Sequence, residues 1–371
     1  MRFIHTSDLH LGKRLCGRSL IDDQRHILDE IIRISEDEGA DAVLVAGDVF
    51  DDGNNMTSES IKVFDDFMTS LSDKGIRLFV ISGNHDSMER LGYGSRLFES
   101  KGVYIAGEFD GDVQSIDMGD VVIHMIPFVK PAYIRRTYGC DVSSYDEAMS
   151  KILEHVDLDK GKKNILITHQ FIVNGTDCPE RRESERSYIG GTESVNSSLF
   201  KDFDYVALGH IHSSQSIGRE NVRYCGTPLK YSLSERNDVK SVTVIDVDDD
   251  VTFREVELKP KRDLVLMEGM LNDILDIGRD GTHRDDYVYI RLSDQNMNDM
   301  ARLGEVFNNL MEVDYADVDN GSVMIASESD ETGIDLLEEF QEFFRKKVGE
   351  DMNDNQKRIV RDLFEKCGVM L

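Results

Sequence analysis

Apolar and polar positions early in the chain alternate between two periods. Residues 2–6 read as a short strand, and residues 22–37 then carry Ile27, Leu28, Ile31, Ile32 and Ile34 at helical spacing. Ala42-Val43-Leu44-Val45-Ala46 is a continuous apolar run, as a strand buried on both faces requires. Ile61, Phe64, Phe67, Met68 and Leu71 return to the helical period, and Arg77-Leu78-Phe79-Val80-Ile81-Ser82 reads as a third strand. This β-α-β-α-β order predicts parallel strands joined by right-handed crossovers. Further strands are expected at 121–126, 164–168 and 204–208, a hairpin-like pair at about 214–226, and two strands at 240–247 and 251–258 that meet at Asp248-Asp249-Asp250. The mixed connections predict an α/β fold, a two-layered β-sandwich flanked by helices. A plain doubly wound sheet is the alternative.

Lys259-Pro260-Lys261 interrupts the pattern and marks an expected domain boundary after 1–258. Residues 264–330 read as a smaller α+β unit, with strands near 264–269, 287–292 and 322–326 and a helix near 298–311. Residues 331–371 read as C-terminal helices. Ile334, Leu337, Phe340, Phe343 and Phe344 line one side of 332–347, and Ile359, Val360, Leu363 and Phe364 fall within 354–366. Such apolar sides pack on the chain itself or lie in a partner's groove.

Composition narrows the partners. With 371 residues and 40% hydrophobic positions the chain is expected to be globular, with two or three domains. No run of about 18 apolar residues occurs and no basic-then-apolar leader opens the chain, so neither a membrane span nor a secretory signal is expected. Cys16, Cys140, Cys178, Cys225 and Cys367 are scattered without a C-x-x-C, which fits reduced thiols in the cytoplasm. The net charge of -29 repels phosphodiester backbones. Salt-adapted solvation accounts for it best, because the acidic residues spread along the whole chain. A local positive metal region or a basic partner are the other two readings.

The chemistry sits at strand ends. Asp8 and His10, two apart after the first strand, point to one side of an extended segment. Gly47-Asp48 follows the second strand, and Ser82-Gly83-Asn84-His85-Asp86 follows the third. His169 ends a later strand, and Gly209-His210-Ile211-His212 ends another. Singly each is ordinary turn chemistry. Together, crowded carboxylates and imidazoles are costly unless something positive unites them. Asp8, His10, Asp48, Asn84, His169, His210 and His212 offer nitrogen and oxygen donors and no thiolate, which suits manganese, iron or zinc. Seven donors exceed one tetrahedral site, so two ions are the natural count.

The ordered blocks D-x-H, G-D, G-N-H-D, a lone H and G-H-x-H resemble the calcineurin-like metallophosphoesterases. The stretches Thr6–Gly12, Gly47–Asp51, Thr168–Phe171, Ile189–Thr192 and Gly226–Ser232 are similar to the SbcD branch, relatives of the Mre-type double-strand-break nucleases. The likeness covers most of 1–258. Asp51 stands where archaeal relatives carry a His. The resemblance implies that Asp48 bridges two manganese ions, with Asp8, His10 and His212 on one and Asn84, His169 and His210 on the other. His85 would act on the phosphate without being a ligand. It also implies 3′→5′ exonuclease activity on duplex DNA, endonuclease activity on single strands and hairpins, an SbcC-type ATPase partner for the C-terminal helices, and a homodimer within a heterotetramer. The 88–100 region and the 22–37 helix are the candidate dimer contacts. The 264–330 unit would cap the site and shape DNA access.

Two other readings compete. A phosphatase or cyclic-nucleotide phosphodiesterase of the same superfamily would cleave small phosphoesters, although it needs no long region after 258. A non-catalytic scaffold would need no Asp48, Asn84 or His85. Among secondary features, Asp86 is expected to cap the helix that follows it, with orienting His85 as the alternative. Arg181, Arg182 and Arg186, interleaved with Glu180, Glu183 and Glu185, read as a solvated loop, with contacts to DNA phosphates as the alternative. Lys13, Arg14 and Arg18 are candidate phosphate contacts. His5, His26, His124 and His155 read as structural or exposed.

Overall fold

The structure, a computed structural model, describes residues 1–185, 194–294 and 299–316, with scattered positions after 340. Met1–Asp317 is one compact unit and Val318–Leu371 a second. The expected strand at 322–326 lies outside the described residues, as do most positions of the two expected C-terminal helices.

The first unit opens with β1 (Arg2–Thr6), α1 (Ile21–Asp37), β2 (Ala42–Val45), α2 (Ser58–Asp73), β3 (Arg77–Ile81) and β4 (Val103–Ala106). These four strands pair in parallel. A second sheet contains β5 (Gln114–Asp117), β6 (Val121–Ile126), β7 (Lys163–His169), β8 (Tyr205–Gly209), β9 (Gln215–Ile217) and β10 (Arg219–Tyr224), with α3 (Pro131–Tyr138) and α4 (Tyr145–Leu153) between β6 and β7. The chain then returns to the first sheet through β11 (Ser241–Val247) and β12 (Val251–Glu257). The orders are β12-β11-β1-β2-β3-β4 and β9-β10-β8-β7-β6-β5.

Strand periodicity of two explains the layers. In β1 and β2, Phe3, Ala42 and Leu44 face the second sheet's Ile123, Ile165, Ile167 and Ala207. Their neighbours Ile4, Val43 and Val45 turn the other way, onto Ile27, Leu28 and Ile31 of α1 and Val63, Phe64 and Phe67 of α2. On the far side, Leu166, Val206 and Leu208 meet Ile134 of α3 and Met149 and Ile152 of α4. The result is a β-sandwich between helical layers, and the plain doubly wound sheet is excluded.

Beyond 258 lies a parallel three-stranded sheet of β13 (Leu264–Gly269), β14 (Tyr287–Leu292) and β15 (Asn309–Tyr315). Parallel neighbours need crossovers, supplied by α5 (Leu271–Arg279) and α6 (Asp299–Val306). Two expectations are corrected here. The helix expected to run to 311 stops at Val306, and 309–315 is a strand. Helix α5 went unpredicted, although Leu271, Ile274, Leu275 and Gly278 repeat at helical spacing. Asp23 of α1 ties this sheet to the sandwich, accepting from Arg262 Nη1 at 2.6 Å and Tyr287 Oη at 2.7 Å.

Candidate metal centre

The parallel direction of β1, β2 and β3, and of β7 and β8, brings their carboxyl ends to one edge of the sandwich. Cross-sheet hydrogen bonds fix that edge. His169 Nδ1 donates to the Ala46 carbonyl at 2.8 Å, and the His210 N–H meets both Asp8 oxygens at 3.1 Å. The backbones approach closely. A Cβ on Gly209 would lie 1.9 Å from Ala46 O, and one on Gly83 would lie 2.1 Å from Asp48 Oδ1. Both motif glycines are therefore packing requirements. Among the described residues six non-glycines have positive φ, and four of them are Asp8 (52°), His10 (43°), Asp48 (48°) and His210 (99°). Strained backbone gathers at functional sites.

All seven predicted donors and His85 converge. Asp48 Oδ2 lies 3.7 Å from His10 Nε2, 3.5 Å from His169 Nε2 and 4.0 Å from His85 Nε2. His10 Nε2 and His212 Nε2 are 3.3 Å apart. The Asn84 side-chain oxygen lies 3.0 Å from His169 Nε2 and 2.9 Å from His210 Nδ1. Among the described residues three sets have donor atoms within 4.8 Å of one another: Asp8, His10 and His212; Asp8, Asp48 and His169; and His10, Asp51 and His85.

The donor chemistry fits divalent cations. Burial raises the Asp8 carboxyl. Burial opposes ionisation of Asp48 too, but His169 and its other imidazole neighbours hold it well below the usual carboxylate range. Burial lowers His169, yet Asp48 and Asp8 bring it up to about 9. Burial, aided by the charge on His169, pushes His210 down to about 3. His10 is likewise held well below its ordinary value, by burial first. The cluster thus packs imidazole nitrogens against the buried carboxyl groups of Asp8 and Asp48, and His10 Nδ1 has no hydrogen-bond partner. Such a pocket is completed by positive charge.

A family model for calcineurin-like phosphoesterases matches residues 1–214. The chain belongs to the calcineurin-like phosphoesterase family. It is therefore a phosphoester hydrolase. The phosphoesterase is 32% identical over 348 residues to the SbcD component of nuclease SbcCD from Staphylococcus epidermidis, covering 90% of this chain and 92% of that protein. It is 30% identical over 377 residues to the component of the same name from Staphylococcus saprophyticus, covering 98% and 97%. These values place it in the SbcD branch. Among solved structures it is similar to a dimetal phosphatase from Danio rerio, at 10% identity over 70% of this chain and 96% of that one, with a TM-score of 0.42. That overlap is too slight to support a functional comparison.

Several side chains of the phosphoesterase differ from their expected roles. Asp86 does not cap the next helix. Its Oδ2 accepts from the backbone of Gly83 at 2.9 Å and Val49 at 3.1 Å, and its Oδ1 from Phe50 at 2.9 Å. It clamps the loop carrying Asp48 to the loop carrying Asn84. Burial and the Asp48 charge push it up to about 7, against those three donors. The loop before residue 186 is not simply solvated. Arg182 makes a two-pronged contact with Asp238 at 2.9 and 3.0 Å, Arg181 lies over the Phe171 ring at 4.4 Å, and Glu185 accepts the His212 N–H at 2.9 Å. Arg186 lies outside the described residues. Lys13 pairs with Asp51 at 2.8 Å. His5 and His124 are buried, while His26 and His155 are exposed.

Sequence reasoning missed Gln24, whose Nε2 donates to the His10 carbonyl at 2.7 Å while its Oε1 accepts from Gly12 N at 2.9 Å. A signal existed: Gln24 continues the apolar stripe of Ile27, Leu28 and Ile31 with a polar side chain. Glu235 and Lys240, both buried, were also missed. They carry no motif.

Proposed function

We propose that the chain is a two-cation DNA nuclease subunit of the SbcD type. The observation that supports this most is the convergence of donors from five strand ends on one edge of the sandwich, with His85 beside them. Asp8, His10 and His212 would hold one ion, Asn84, His169 and His210 the other, and Asp48 both. Manganese is the proposed metal, given the imidazole-rich set without sulfur. When bound, the two ions supply Lewis acidity to the phosphate oxygens and lower the pKa of water for in-line displacement.

The remaining contributions come from the chain itself. His85 Nδ1 lies 2.8 Å from the Asp51 carbonyl, which can only accept, so Nδ1 carries the proton. Nε2 is left with its lone pair facing the cluster, and once it has taken up a proton the ring is placed to pass that proton to the leaving oxygen. Asp86 and Gln24 fix the loops that carry Asp48, Asn84 and His10.

The proposed substrate is DNA, cut 3′→5′ from duplex ends and internally at single strands and hairpins. An ATPase partner of the SbcC type is proposed to join the chain through the region 331–371. The sheet over 264–315 would cap the site. Tyr93 (85% exposed) and Leu97 (77%) favour the 88–100 region as the homodimer contact, whereas the apolar face of α1 is taken up by the core. The proposed location is the cytoplasm; no helix among the described residues is long and apolar enough to cross a membrane. The test is manganese-dependent digestion of duplex and hairpin DNA beside a chromogenic small diester. Cleavage of DNA supports the reading. Turnover of the small ester with none of DNA would favour a phosphatase or cyclic-nucleotide phosphodiesterase instead.

A further inference from the structure

His212 is held from behind by a buried polar chain that no motif includes. Its Nδ1 lies 2.7 Å from Ser184 Oγ, and Ser184 Oγ lies 2.5 Å from Glu235 Oε1. Glu235 is fully buried, and Lys240 Nζ donates to its Oε2 at 2.6 Å. Thr227 Oγ1 donates to the same oxygen at 3.2 Å, and Ser232 Oγ to Oε1 at 3.1 Å.

Proton counting along this chain gives a direction. A carboxylate only accepts, so the single Ser184 hydroxyl proton points to Glu235. Toward His212 the Ser184 oxygen must then accept, and the proton between them sits on Nδ1. That leaves the Nε2 lone pair free, and Nε2 is the atom 3.3 Å from His10 Nε2, on the donor side of the cluster. The same residue is fixed by its main chain, with its N–H on Glu185 and its carbonyl accepting from Lys240 Nζ at 3.0 Å. Ser184 is two residues from Arg182, whose pairing with Asp238 anchors the segment.

We propose that Ser184 is a positioning residue that sets the His212 tautomer, and with it the affinity of the ion held by Asp8, His10 and His212. This rests on the two-cation reading above. Partners of this kind on a metal-bound imidazole are worth about 10- to 100-fold in metal affinity.

The experiment is calorimetric titration of the full, chelator-stripped chain with Mn2+ alone. The expected result is that Ser184→Ala weakens one of two bound ions by about 10- to 100-fold and leaves the other as in wild type, while Ser184→Thr, which keeps the hydroxyl, restores both. Ser232→Ala, which removes a different hydroxyl from the same Glu235 oxygen, leaves both affinities unchanged. Wild-type affinities in Ser184→Ala, equal weakening of both ions, or the same loss in Ser232→Ala would overturn the proposal while the two-cation reading stands. A wild-type chain that binds no Mn2+ would overturn both.

Discussion

Asp86 gives the sharpest test of how the site is held. Its carboxylate takes three backbone N–H groups, one on Oδ1 and two on Oδ2. Substitution by Ala leaves all three without a partner. A buried donor stripped of its acceptor costs about 1–3 kcal/mol, so the loss is roughly 3–6 kcal/mol once water reaches part of the cavity. Substitution by Asn keeps the shape and one accepting oxygen. Placed at Oδ2, that oxygen retains Gly83 and Val49, but the amide NH2 then faces the Phe50 N–H, and one bond is lost for about 1–3 kcal/mol. Against a total stability of about 5–15 kcal/mol both effects are measurable. Thermal and urea unfolding of wild type, Asp86→Asn and Asp86→Ala should give a graded series, with melting lowered by about 2–4 °C per kcal/mol. Mn2+ affinity should fall in the same order, because the clamped loops carry Asp48 and Asn84. An Ala variant that melts with wild type, or one no worse than Asn, would refute the clamp.

Other expectations are independent of the clamp. His85→Ala should lower DNA cleavage by roughly 10²- to 10⁴-fold with Mn2+ binding retained; loss of an ion in that variant would make His85 a ligand, as its grouping with His10 and Asp51 also allows. Gly209→Ala sets a Cβ 1.9 Å from the Ala46 carbonyl, main chain against main chain, so the sheets must part and destabilisation above about 4 kcal/mol is expected; a variant with native melting would sink the close approach. His5, buried between Tyr205 and the Leu208 carbonyl, is pushed down to about 3 by burial and by the charge of Arg223. Its folded pKa lies below the unfolded 6.5, so the unfolded chain binds the extra proton and stability falls as pH drops from 6.5 toward 3, by up to about 1.4 kcal/mol per pH unit. The His5 ring resonances should therefore stay flat between pH 7 and about 5, and a midpoint near 6.5 would refute the assignment.

The donors were legible because each lies at, or within four residues of, the end of a strand whose apolar pattern is unmistakable. Asp8 and Asp48 follow β1 and β2, and His210 follows β8. Parallel pairing then does the rest without further information. Three groups of residues were not legible. Ser184, Glu235 and Lys240 reach His212 from separate segments, and nothing local marks a Glu as buried until its lysine is known. Asp86 sits where a helix cap belongs, and only the loop after β2 shows what it accepts from. Residues 309–315 continue an apolar pattern that suits helix or strand. Pairing with β14 decides it, because a parallel edge offers them a ladder that an extended helix α6 would leave open.

The left-handed turns at Asp8, His10, Asp48 and His210 have an evolutionary consequence. Each holds a side-chain-bearing residue where glycine would relax the main chain, at a cost of about 1–2 kcal/mol per position. Asp48→Gly should accordingly unfold at a higher temperature than Asp48→Ala, though neither cuts. A lineage released from selection for cleavage would gain stability by drifting to glycine at these four codons, so their retention in a descendant is a sign that the chemistry is still in use.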